Sequence, residues 1–116
     1  MSINKLRSEK LLHFNDKEYK AKMSIDTIIR IEQALGCSIL KLGTKLAQTD
    51  ITMTEMISVI TLALRAGGNN LQDKEVKVLI SEIGMLEGIK MAGELVTLAL
   101  NVDDDTEDEK KSLVED

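Results

Sequence analysis

Proline and tryptophan are absent from this 116-residue chain, and cysteine, histidine, phenylalanine and tyrosine occur once each. With Cys37 alone there is no intramolecular disulfide and no thiolate metal cluster, so a reducing cytoplasm is the expected compartment. A single histidine, His13, excludes His-dependent triads and multi-imidazole metal sites built from this chain. Phe14 and Tyr19, the only aromatic residues, cannot form a stacking platform for single-stranded nucleic acid. Apolar stretches are interrupted by Ser, Thr, Lys or Glu well before the roughly 18 residues that a membrane span needs. Met1-Ser2-Ile3-Asn4-Lys5 leads into charge instead of an apolar segment, so no export signal is expected.

Chemistry-bearing patterns are equally scarce. Gly67-Gly68 lacks a following Lys-Ser/Thr and is not a phosphate loop. Ser24, Ser38, Ser58 and Ser81 have no neighbouring base to activate them. Asp26, Glu32, Asp50, Glu55, Glu82, Glu87 and Glu94 follow neither a zinc-protease nor a calcium-loop spacing. The chain is therefore not expected to be an enzyme or to hold a cofactor or metal.

What is present is apolar side chain (43%) and charge (30%), enough for one core. The net charge of −5 is unevenly placed. Residues 102–116 carry eight acidic side chains and two lysines, leaving residues 1–101 with a net charge of +1. The expected organisation is one domain over 1–101 and a solvated, flexible acidic tail over 102–116. That tail either solubilises the chain or competes for a basic surface; the first 22 residues hold six basic side chains against three acidic ones.

Tyr19, Ala21 and Met23 alternate with Lys20 and Lys22, a period of two, and Asn15-Asp16 is turn chemistry, so the pattern predicts a β-hairpin over about residues 8–23. Its Phe14/Tyr19 face must be laid on helices or on a partner, since a lone hairpin is marginal in water. A helical bundle of about five helices follows. Ser24 and Gly36 bound the first, with Ile25, Ile28, Ile29 and Leu35 as its expected face. Ser38 opens a short second helix with Ile39, Leu42 and Leu46, weakened by Gly43. Thr52 and Glu55 form a capping box, and Ile51 with Met56 a hydrophobic staple, at the start of a third helix that is apolar on most sides and hence central. Asp73-Lys74-Glu75 opens the fourth, with Val76, Leu79, Ile80 and Ile83 at helical spacing. Gly84 breaks it, and Met85–Leu100 is the predicted fifth; Gly84-x3-Gly88 implies close helix packing. That last helix has two apolar stripes: Ile89, Ala92, Val96, Leu100, and Met91, Leu95, Leu98. The second is either core or a surface for a partner helix. Phe14, Tyr19, Met91, Leu95 and Leu98 are accordingly the candidate partner-binding residues.

The order of elements carries a resemblance. Phe14-Asn15-Asp16-Lys17-Glu18-Tyr19 is followed by Ile31-Glu32-Gln33-Ala34-Leu35-Gly36, then Ala63-Leu64-Arg65-Ala66-Gly67-Gly68 and Asp73-Lys74-Glu75-Val76. Over about residues 10–100 this resembles the gene transfer agent family of small phage tail proteins, the tail assembly chaperones of siphovirus-type phages and prophages. Its hairpin, "Leu-Glu-x-Ala-Phe-Gly" helix and "Leu-Arg-x-Gly-Gly" followed by "Asp-Glu-Glu-Val" come in the same order. Here Asp16 stands for the turn glycine, Glu18 for a frequent proline and Leu35 for the aromatic before Gly36. The resemblance implies partners rather than substrates. They are the tail tape-measure protein, whose long apolar helices such a chaperone keeps from aggregating, and the tail-tube protein it helps recruit. It also implies action in the bacterial host cytoplasm and absence from the mature particle. The alternatives are a structural tail-completion subunit, or a small regulatory or nucleic-acid-linked protein, the latter disfavoured by the nearly neutral body. A homo-oligomer is compatible with the surplus apolar stripes.

Overall fold

The computed structural model describes residues 8–115, with side chains described for 8–101. Strands β1 (Glu9–Phe14) and β2 (Lys17–Lys22) pair antiparallel around the two-residue turn Asn15-Asp16. Asn15 takes φ +60°, a left-handed conformation that asparagine tolerates better than most residues, so the turn closes although Asp16 replaces glycine. Register sets Leu12 opposite Tyr19 and Lys10 opposite Ala21, placing Leu12, Phe14, Tyr19 and Ala21 on one face. Leu12, Phe14, Ala21 and the adjacent Met23 are buried. Tyr19 is half-buried, edge-on to Phe14 with ring centroids 5.9 Å apart.

Five helices follow: α1 (Ile25–Leu35), α2 (Ile39–Ala47), α3 (Met53–Ala66), α4 (Asp73–Ile83) and α5 (Met85–Glu115). Their starts are fixed locally. The Ser24 and Ser38 hydroxyls accept from the amides of Thr27 and Lys41, and Gly36 ends α1 at φ +67°. Thr52 and Glu55 exchange both capping-box hydrogen bonds, and the Glu75 carboxylate accepts from the Gln72 amide at the head of α4. Helix α3 is the centre: it meets β2, α1, α4 and α5 and buries Met56, Ile57, Val59, Ile60, Thr61, Ala63 and Leu64.

Two sequence expectations need correction. In α1 the buried residues are Thr27 and Ile31, while Ile25 and Ile29 are exposed. Thr27 is drawn inward by its bonds to the Ser24 cap, and the face that follows by helical spacing is 27, 31 and the half-buried 28 and 35. The last helix does not stop at Leu100 but runs as backbone to Glu115; no glycine or proline follows to end it. The flexible acidic tail expected over 102–116 lies outside the residues whose side chains are described.

The hairpin is locked to the bundle at the end of α3. A Cβ on Gly67 would lie 2.0 Å from the Lys20 carbonyl oxygen, so the two backbones touch where no other residue fits. Gly67 has φ −79°, so glycine is required by this contact and not by its dihedral angles. Two residues on, the Asn69 amide donates to the same Lys20 oxygen at 2.7 Å and to the Leu64 carbonyl at 3.1 Å. Arg65 holds the loop from the other side, donating to the Leu71 carbonyl and the Gln72 side chain. Gly88 lets α5 approach in a similar way: its Cβ would press on Met56 at 3.0 Å and Ile80 at 3.2 Å.

Gly67→Ala is expected to destabilise the fold by about 2 kcal/mol or more, because the strand must move away from the helix end; urea unfolding will show it as a lowered midpoint. Among the described residues the buried Thr61 hydroxyl has no hydrogen-bond partner, so the equally shaped Thr61→Val should raise stability by about 1 kcal/mol in the same assay.

Candidate partner-binding surface

The five residues singled out as partner-binding do not form one surface. Phe14 and Leu95 are fully buried and Met91 nearly so, while Tyr19 and Leu98 are half-buried at the core margin. In the isolated chain the first three are core side chains, and a partner would reach them only by displacing the elements that cover them. On α5 the buried residues are Gly88, Met91, Ala92, Leu95, Val96 and Ala99, one continuous face at spacings of three and four. The two stripes read from the sequence are the flanks of this single wide face, with Ile89, Leu98 and Leu100 at its edges.

The open surface lies alongside. Between α2 and α5 runs a groove of about 900 Å³, walled by Leu40, Gly43, Thr44 and Ala47 on one side and by Gly93, Thr97 and Leu100 on the other. Positions 40, 43, 44 and 47 fall on one stripe of α2. Leu40 is 67% exposed, and Lys10, Lys90 and Glu94 provide charge at the rim. Lys10 and Glu94 approach to 4.0 Å, linking β1 to α5 at one end. Gly93 has open space where a Cβ would point, and a Cβ on Gly43 would make only ordinary contacts with Val96 at 3.6 Å and Leu100 at 3.8 Å. Packing among the described residues requires neither glycine. Of the five candidate residues only Leu98 lines this groove; its α2 wall went unread because Gly43, Thr44 and Ala47 do not register as an apolar stripe.

The most tightly paired charges near the surface are structural. Lys45 of α2 and Glu55 of α3 meet at 2.6 Å. The Lys45 ammonium, then the Thr52 backbone amide, hold the Glu55 carboxyl below its ordinary value, and the hydrogen bond that Lys45 donates to Glu55 raises Lys45. One carboxylate thus caps α3 and fastens α2 to it. His13 and Glu18 lie 3.2 Å apart across the hairpin on its exposed face. Among the described residues no group of three or more His, Cys, Asp or Glu could hold a metal ion, and no helix is long and apolar enough to cross a membrane.

The motif residues behind the resemblance acquire structural explanations. Glu32 accepts from the amide of Ile39 at 2.9 Å, so the glutamate of the Ile31–Gly36 motif caps the next helix, and Gly36 supplies the left-handed turn between the two. Arg65, Gly67 and Asn69 seat the hairpin and the following loop. The family is identifiable as well: the model described as phage tail tube protein, GTA-gp10, matches residues 7–102. The chain belongs to this family. No curated protein and no solved structure matches it. Membership makes the chain a phage or gene transfer agent tail protein, with other tail components as its partners.

Glu55 generates a pH test. Its folded-state pKa is depressed, so its contribution to stability is full above the ordinary carboxylate value of 4.5 and is lost as pH falls through the lower folded value. Glu55→Gln should therefore be less stable than the parent at neutral pH. The difference between the two urea midpoints should shrink as the solution is acidified below that value.

Proposed function

We propose that this tail protein is a tail assembly chaperone that receives apolar helical segments of the tail tape-measure protein in the groove between α2 and α5. It keeps that partner from aggregating and helps bring tail-tube subunits to it. The observation that carries the reading is the groove with its two unneeded glycines. Glycine within a helix costs roughly 0.5–1 kcal/mol relative to alanine, and at Gly93 it leaves close-approach space that no described residue fills. A helix seated against Gly43 and Gly93 gains backbone proximity and covers Leu40. The chaperone acts in the host cytoplasm, leaves before the particle is complete, and uses no cofactor or catalytic residue.

A second reading is a structural component retained in the tail, favoured by the family's description as a tail tube protein. The two readings differ in where the chain ends up. Co-expression with the tape-measure protein of the same phage or prophage should raise that partner's soluble yield and give a complex that light scattering can weigh. Gly93→Leu, which fills the groove, and Leu40→Glu should remove most of that gain while the chain itself melts at or above the parent temperature. Should the partner stay insoluble and the chain instead be found in purified tails, the structural reading replaces the chaperone.

A further inference from the structure

The two edges of the hairpin are unlike each other. The amide of Met23 donates to the Ser8 carbonyl at 2.7 Å, and hydrogen-bonded pairs alternate along an antiparallel ribbon. Residues 8, 10, 12 and 14 of β1 therefore turn their backbone groups toward β2, and Glu9, Leu11 and His13 turn theirs outward. By the same alternation Glu18, Lys20 and Lys22 face outward from β2. That second edge is blocked at its centre, since the Lys20 carbonyl is taken by Asn69 and abutted by Gly67. The backbone groups of Glu9, Leu11 and His13 have no partner among the described residues. Lys10, Leu11, Leu12 and His13 border a trough of about 290 Å³ whose far wall is Glu87, Lys90 and Glu94 of α5.

We infer that the free edge of β1 pairs antiparallel with β1 of a second copy of this chain, joining two hairpins into one four-stranded sheet. The register follows from the side chains. Pairing about a two-fold axis at Leu11 engages all three outward residues on each strand, setting Leu11 against its counterpart and Glu9 against His13. Leu11 is 52% exposed on an otherwise charged face, and this pairing covers it. Across the four strands the row reads Glu18, His13, Glu9, Lys22, so carboxylates alternate with imidazole and ammonium. Centring the axis on Lys10 would oppose two lysines instead. A four-stranded sheet also relieves the marginal stability of a two-stranded one.

The pairing is independent of the α2/α5 groove and is tested on the full chain. Analytical ultracentrifugation across micromolar concentrations should show a monomer–dimer equilibrium. Leu11→Lys places like charges at the axis and should weaken the dimer at least about tenfold, with an unchanged melting profile at concentrations where the parent is monomeric. Leu11→Cys in a Cys37→Ser background should cross-link to a dimer on mild oxidation, because directly opposed residues of a hydrogen-bonded pair lie about 5.5 Å apart. Lys20→Cys in the same background, on the closed edge, should not. A parent chain that stays monomeric overturns the inference, as does a dimer that Leu11→Lys leaves intact. So does a monomer whose edge variant loses only a co-expressed tail partner, which would give the strand to a heterologous segment.

Discussion

A two-stranded ribbon has too little surface of its own to hold a shape in water, and in this chain the shape comes from one contact between backbones. Where α3 ends, Gly67 lies against the Lys20 carbonyl with no room for a side chain, and Asn69 bonds to the same oxygen. Once that seam is fixed, Phe14, Leu12 and Ala21 face the bundle, and α3 becomes the element that everything else surrounds. Arg65 and Asn69 have a positional role: they satisfy carbonyls that a tight helix end and a strand edge would otherwise leave bare.

The interior is built by the same economy of means. Glu32 caps a helix seven residues away, and Glu55 caps its own helix while binding Lys45 of the preceding one. Each carboxylate joins two helices, so the short connections between α1, α2 and α3 need no proline to stiffen them. Gly88 allows α5 to settle against Met56 and Ile80. These interactions hold the scaffold together. The groove proposed to receive a partner lies elsewhere, on the wall formed by Leu40, Gly43, Ala47 and Gly93.

How far the sequence could be read follows from this division. The hairpin and its turn, the serine caps, the Gly36 terminus, the Thr52/Glu55 box and the central place of α3 were legible because each depends on residues close together in the chain. The buried side of α5 was not, since periodicity shows where apolar residues recur but not how many neighbours converge on one helix; Met91 and Leu95 are core because α5 lies in contact with α2, α3 and α4. The inward face of α1 was misread because Thr27, a polar residue, occupies it. The end of α2 gave no signal either: Thr49 adopts φ +51°, a conformation usually left to glycine, while its amide and that of Asp50 bond back to Leu46 and Lys45. The closed edge of β2 depends on residues 47 and 49 positions apart, a separation over which local pattern carries no information.

That closed edge has a consequence for growth. A sheet with two open edges can add copies indefinitely and become a fibre. Asn69 and Gly67 act as an end-stop on one side. A second copy added on the other side brings the same end-stop on its own β2, so pairing of copies through β1 would end after a single step.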